Sequence, residues 1–257
     1  MTRIGQLFER KKNNILNVYF TAGYPALNDT LDIMKWLQEA GADMIELGMP
    51  YSDPLADGPV IQSSSAIALS NGMTIRKLFE QLKNFRKEIQ LPVLLMGYLN
   101  PILQYGFENF CRDAAEAGVD GLILPDLPMF EFKNEFGTII KKYGLDFVFL
   151  VTPETEETRV RELDQLSDGF LYAVSSSSTT GTQTAPGIQD AYFKRLKSLK
   201  LKNPVLIGFG IRDRASFSAA CLNANGAIIG TAFIKVLEKA SRQEMPGRIK
   251  EFIQSIQ

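Results

Sequence analysis

Apolar residues fall along this chain in two alternating rhythms. Short runs of strand type occur at Ile15–Phe20, Met44–Gly48, Val93–Met96, Gly121–Leu124, Phe147–Val151, Phe170–Val174, Val205–Gly208 and Ala227–Ile229. Between them, apolar positions recur at i, i+3, i+4 and i+7. Ile33/Trp36/Leu37/Ala40, Ile75/Leu78/Phe79/Leu82 and Phe107/Phe110/Cys111/Ala114 follow this helical spacing, as does a final Ile249/Phe252/Ile253/Ile256. Strict alternation with mostly short links predicts parallel strands joined by crossover helices. Eight strand runs in 257 residues predict an α/β chain folded as a single (β/α)8 TIM barrel, one domain over residues 1–257. The polar, amphipathic opening MTRIGQLFERKKNN predicts an extra N-terminal helix and is too polar for a signal peptide.

Two near-copies support the repeating unit. Glu39-Ala-Gly-Ala-Asp43 and Glu116-Ala-Gly-Val-Asp120 each close a helix, turn on glycine and enter a strand. Gly41 and Gly118 are expected as left-handed caps, because glycine adopts positive φ without a side-chain clash. Asn225-Gly-Ala227 is a weaker third copy. Two connections are expected to be long loops, 49–71 and 175–189. Both follow strands, on the face where barrels build their sites.

Composition narrows the chemistry. With 28 basic and 29 acidic residues, and no Lys/Arg run, a nucleic-acid surface is not expected. No apolar stretch approaches the roughly 20 residues of a membrane span. Cys111 and Cys221 both lie in helical segments and read as core thiols of a cytoplasmic protein. There is no histidine. That removes Ser-His-Asp and Cys-His catalysis and the commonest zinc sites, so no metal is expected. Acid–base work falls to carboxylates, lysines, tyrosines or bound water.

Met44, Glu46 and Gly48 alternate with Ile45 and Leu47, and the apolar pair suits the helix-facing side. Glu46 is thereby directed into the barrel near its C-terminal mouth, where burial raises a carboxyl pKa. Two readings stand: a proton carrier, or a structural glutamate paired with Lys, Arg or Tyr. The loop that follows, Pro50-Tyr-Ser-Asp-Pro-Leu-Ala-Asp-Gly-Pro59, holds Asp53 before proline and Asp57 before glycine, positions that turn chemistry alone explains. Placed beside a lumenal glutamate, they could share protonation and charge stabilisation with it. Ser178-Thr-Thr-Gly181, Gly208-Phe-Gly210 with Ile211-Arg-Asp213 leading into a helix, and Ile229-Gly-Thr231 each follow a strand. Exposed amides at such glycines and helix starts attract anions, and together the three loops read as a phosphate site. Asp126, in Leu124-Pro-Asp-Leu-Pro128, reads as a loop anchor.

The stretch Glu46-Leu-Gly-Met-Pro-Tyr-Ser-Asp-Pro-Leu-Ala-Asp-Gly-Pro-Val-Ile-Gln62 closely resembles the signature of the tryptophan synthase alpha subunit family. The resemblance continues through Phe20–Pro25, Leu94–Pro101, Gly118–Asp126, Tyr172–Gly181, Gly208–Ile211 and Gly226–Thr231. It implies a retro-aldol lyase of tryptophan biosynthesis that cleaves indole-3-glycerol phosphate to indole and glyceraldehyde 3-phosphate. Glu46 matches the family's catalytic proton shuttle, and Asp57 the aspartate that stabilises positive charge on the indole nitrogen. Gly181, Gly210, Gly230 and Thr231 match phosphate-binding positions. Tyr19, Tyr172 and Thr180 match the indole pocket or its lid, and Asp53 and Pro54 the loop facing a beta subunit. The resemblance also implies an alpha2beta2 complex in which pyridoxal phosphate belongs to the beta partner, with no cofactor in this chain. Two departures stand out: the lid reads Ser175-Ser-Ser-Ser-Thr-Thr-Gly181, serine replacing a common glycine, and Thr231 replaces a common serine.

Three other readings remain open at this point. A silent subunit that only activates its partner would not need both Glu46 and Asp57. A phosphosugar isomerase on the same barrel commonly pairs glutamate with a histidine, absent here. A stand-alone lyase would turn over quickly without a partner.

Overall fold

The computed structural model describes residues 2–174, 186–208 and 210–257. Its strands are β1 (Ile15–Thr21), β2 (Met44–Gly48), β3 (Val93–Met96), β4 (Gly121–Ile123), β5 (Asp146–Phe147), β6 (Leu150–Val151), β7 (Leu171–Val174), β8 (Val205–Gly208) and β9 (Gly226–Ile229). All pair in parallel among the described residues, in the order β5-β4-β3-β2-β1-β9-β8-β7-β6. Only Val148 and Phe149 separate β5 from β6, so the two ends of that order are two pieces of one predicted run. Val148 donates to Leu122 O at 3.1 Å, and Phe149 O accepts from Tyr172 N at 3.0 Å. The run therefore links β4 to β7, and eight chain passes close the circle of a TIM barrel.

Alternation decides what fills it. Ile15, Tyr19, Met44, Leu94, Ile123, Val148, Phe170, Tyr172, Val174, Leu206 and Ile228 pack together in the lumen. The intervening Leu16, Val18, Phe20, Ile45, Leu47, Leu95, Leu122, Phe147, Ala173, Ile207 and Ile229 pack outward against the helices. Glu46 shares the parity of Met44, not of Ile45 and Leu47, so it faces the lumen as the alternation predicts.

The N-terminal helix, Arg3–Arg10, closes the barrel from below. Thr2 caps it, accepting from Gly5 N at 3.2 Å. Ile4, Leu7 and Phe8, at helical spacing, join the lumenal cluster, and Phe8 meets Phe170 with ring centroids 6.1 Å apart. Each such buried side chain contributes roughly 1.5–3 kcal/mol.

Gly41 and Gly118 both cap helices at φ 98°, as expected from the echo. The third copy differs. The helix before it ends at Ala224 in extended backbone, and Gly226 is not a cap at all. Gly226 pairs with Ile15, and a Cβ there would meet Ile15 O at 2.1 Å, so close strand approach is the reason for that glycine. The long loop expected over 49–71 is also corrected. Helix Pro59–Ser70 occupies most of it, with Pro59 in the first turn, where a missing N–H costs nothing. The irregular part is 49–58. Likewise the connection expected over 175–189 has helix Pro186–Ser198 beginning inside it.

Candidate active site

At the C-terminal mouth of the barrel, Glu46 is 0% exposed. The Asn17 side-chain amide donates to its Oε2 at 3.0 Å, and among the described residues Oε1 has no hydrogen-bond partner. Burial drives this carboxyl up to about 8; the Asn17 bond opposes the rise and the charge of Asp57 adds to it. No cation takes part. The structural alternative, a glutamate paired with Lys or Arg, is absent among the described residues.

Asp57, also buried, approaches from the loop after β2. Burial lifts it to about 6, against a bond donated by the Tyr98 hydroxyl at 3.1 Å. The same hydroxyl accepts from Ala56 N at 3.0 Å, and Gln62 donates to Asp57 O at 2.8 Å, so the loop is braced on both sides of the carboxylate. Tyr98 stacks on Tyr51 with ring centroids 5.3 Å apart. Asp53 stays outside this arrangement, exposed and bonded by Ser52 at 2.5 Å, as a turn residue would be.

Tyr19 and Tyr172 rise from β1 and β7, and both are buried. Burial pushes both hydroxyls well above their ordinary range, and the carboxylates Glu46 and Asp57 push both further, so all four groups share one site. Glycines make room for the rings. A Cβ at Gly48 would lie 2.3 Å from the Tyr19 hydroxyl, and one at Gly208 would lie 2.3 Å from the Tyr172 ring. Gly230 touches Tyr19 from the other side, where an added Cβ would sit 3.2 Å from its ring.

The glycine loops expected to bind phosphate are sorted differently. Gly208 ends β8 and is occupied with admitting Tyr172. The helix beginning at Arg214 is capped by its own Asp213, which accepts from Ser216 N at 2.8 Å, so the amide of its third residue is already engaged. Gly210, exposed at φ 76°, and Gly230 with Thr231, which open helix Thr231–Lys239, keep the features the anion reading needs. They follow β8 and β9, which are paired neighbours. Thr180, Gly181 and the rest of the expected lid lie outside the described residues. Asp126 proves an anchor, both its oxygens accepting from Leu99 N at 3.0 Å.

Two neighbours of the carboxylates were not singled out from sequence. Asn17 carried a signal, being an amide side chain at an inward position of a mostly apolar strand. Tyr98 carried none of its own, since only the folded loop brings it to Asp57. Among the described residues, no group of three or more His, Cys, Asp or Glu side chains could hold a metal ion. Nor is any helix there long and apolar enough to cross a membrane.

The family model described as "Tryptophan synthase alpha chain" matches residues 6–256. The chain is 51% identical over 257 residues to the tryptophan synthase alpha chain of Flavobacterium johnsoniae, covering 100% of each. It is 50% identical over 245 residues to that of Bacteroides fragilis, covering 95% of this chain and 93% of the relative. Among solved structures, tryptophan synthase subunit alpha from Legionella pneumophila superposes with a TM-score of 0.89 at 34% identity, covering 100% of this chain and 97% of that one.

Proposed function

The chain belongs to the tryptophan synthase alpha chain family, the lyase that cleaves indole-3-glycerol phosphate in tryptophan biosynthesis, and from that premise we propose that Glu46 and Asp57 carry the reaction. The observation behind the proposal is a lumenal glutamate with no cation beside it among the described residues, lifted to about 8, next to an aspartate lifted only to about 6. At neutral pH the first is largely protonated and the second largely ionised. One site thus holds both an acid and a fixed negative charge.

The ring carbon of the substrate leaves poorly until it is protonated. Glu46 gives it that proton, which places positive charge on the ring nitrogen, and the Asp57 carboxylate stabilises that charge in a dry site. The Glu46 carboxylate then takes the proton of the adjacent glycerol hydroxyl. The carbon–carbon bond breaks, its electron pair restores the aromatic ring, and a carbonyl forms on the departing chain. Indole and glyceraldehyde 3-phosphate leave, and Glu46 is again protonated. Tyr19 and Tyr172 flank the ring. Gly210, Gly230 and Thr231 hold the phosphate, with Thr180 and Gly181 completing the enclosure as the resemblance implies.

The reading extends to a single catalytic domain over residues 1–257, a cytoplasmic location and an alpha2beta2 complex with a tryptophan synthase beta subunit. Leu55, Leu103 and Phe130, which follow β2, β3 and β4, are 86%, 46% and 70% exposed, an apolar set that supports a protein partner at the mouth. Pyridoxal phosphate is assigned to that partner, as the resemblance implies. The test is a coupled assay for glyceraldehyde 3-phosphate from indole-3-glycerol phosphate, with and without a beta subunit. Wild type releases product and Glu46→Gln does not; a Glu46→Gln rate above a few per cent of wild type overturns the assignment.

A further inference from the structure

Glu46 has two oxygens, and the fold treats them differently. Oε2 accepts the Asn17 amide at 3.0 Å, while Oε1 has no hydrogen-bond partner among the described residues. Asn17 is itself fully buried, on β1, one strand across from Glu46 on β2. Its register partner is Met44, and that of Glu46 is Tyr19, so the amide reaches Glu46 from two register pairs below, on the side away from the mouth. An amide in an apolar barrel layer is costly unless it is bonded, and Asn17 Oδ1 has no partner among the described residues. On packing grounds alone an aliphatic residue would serve better here. A buried, half-satisfied amide whose single bond goes to a site carboxylate points to a role exerted through that carboxylate.

We propose that Asn17 is a positioning residue that tethers Oε2 of Glu46 and so leaves Oε1 as the oxygen that exchanges protons with substrate. The inference rests on the assignment of Glu46 as the proton carrier. A carboxyl held by one oxygen is biased against rotation about its terminal bond, so the carried proton meets the ring carbon from a preferred direction. The donated N–H also favours the ionised form, keeping the carboxyl able to release its proton in a site where burial works against release. The titratable groups around Glu46 are Asp57 from the following loop, Tyr19 on β1 and Tyr172 on β7; none is a cation. With only acids nearby, the neutral amide is the one group among them that pulls the carboxyl towards ionisation.

Asn17→Leu removes the donor at nearly constant volume. Infrared difference spectra against Glu46→Gln isolate the carboxyl band of Glu46 and give its protonation midpoint directly, whatever the enzyme's activity. Asn17→Leu is expected to raise that midpoint by about one pH unit. It should also lower kcat by roughly 10- to 100-fold with KM within about threefold, and leave the thermal midpoint equal or higher. Asn17→Asp, the same shape with an acid in place of the amide, should raise the Glu46 midpoint further. An unmoved midpoint with wild-type kcat in Asn17→Leu, while Glu46→Gln is inactive, overturns the role of Asn17 alone. An active Glu46→Gln removes the reading beneath it instead. Loss of folding in Asn17→Leu would make Asn17 a structural residue and also overturn the proposal.

Discussion

The two ends of this barrel handle carboxylates in opposite ways. At the lower end, Asp120 accepts from Arg3 at 3.0 Å, from Arg86, and from Val93 N at 2.7 Å, while Asp43 accepts from Lys11 at 2.6 Å and Leu16 N at 2.8 Å. Each carries a cation and a backbone amide. At the mouth, Glu46 and Asp57 are given one neutral donor each, Asn17 and Tyr98. Burial alone does not separate the two ends, since Asp120 is 6% exposed and Asp57 8%. What separates them is the partner's charge. A cation lets a buried carboxylate act as a clamp, whereas a neutral donor leaves it poised to gain or lose a proton. Asp146, lower down, is intermediate. Burial lifts it to about 6, and its Oδ2 has no partner among the described residues, yet it lies far from the mouth. A raised carboxyl therefore does not by itself make a site.

This contrast can be broken most sharply at Glu46. Glu46→Gln should lower indole release by about 10³-fold or more in the coupled assay. The same change should stabilise the fold at alkaline pH. Because the folded carboxyl is held near 8, its contribution to stability is fully present below the ordinary carboxylate range and is lost as pH rises through 8. Thermal unfolding should show Glu46→Gln more stable than wild type at pH 8, by on the order of 3 kcal/mol, with the difference vanishing towards pH 4. The opposite sign would mean that an unseen partner holds Glu46 ionised.

At the lower end the expectation reverses. Asp120→Ala leaves the half-buried Arg86 uncompensated and two strands untied, and should cost about 3–4 kcal/mol in urea unfolding. The kcat of the folded fraction should stay within about twofold. Asp57→Asn keeps the shape and the Tyr98 contact but removes the fixed charge, which should lower kcat by about 10²-fold and, by the same linkage, raise the thermal midpoint at neutral pH. The smallest expected effect is at the tyrosine cradle. Gly208→Ala forces the Tyr172 ring aside and should raise KM for indole-3-glycerol phosphate by about tenfold, with kcat falling less. An unchanged KM would mean that the ring does not touch substrate.

Much of this was legible along the chain because it depends on local rules. Period-two alternation placed Glu46 inward, and periodicity of 3.6 found the principal helices. Left-handed glycine caps at Gly41 and Gly118 followed from backbone sterics, and a chain without histidine left the acid–base chemistry to carboxylates, lysines, tyrosines or bound water. These signals arise between residues a few positions apart, so sequence carries them in full. Other features arise between residues distant in the chain. Gly208 reads as part of an anion loop and Gly48 as a strand end, but the reason for each glycine is a tyrosine ring on the neighbouring strand. Asp213 resembles part of an anion loop, yet it spends its oxygen on its own helix. Helix Pro59–Ser70 was missed because its serine-rich, weakly amphipathic sequence gives little periodic signal, and packing against β1 decides it. The identities of the two carboxylates could be read in one dimension. Only closure of the barrel set Asn17 and Tyr98, rather than a lysine or arginine, beside them, and electrostatics at such short range depends on which neighbours the fold supplies.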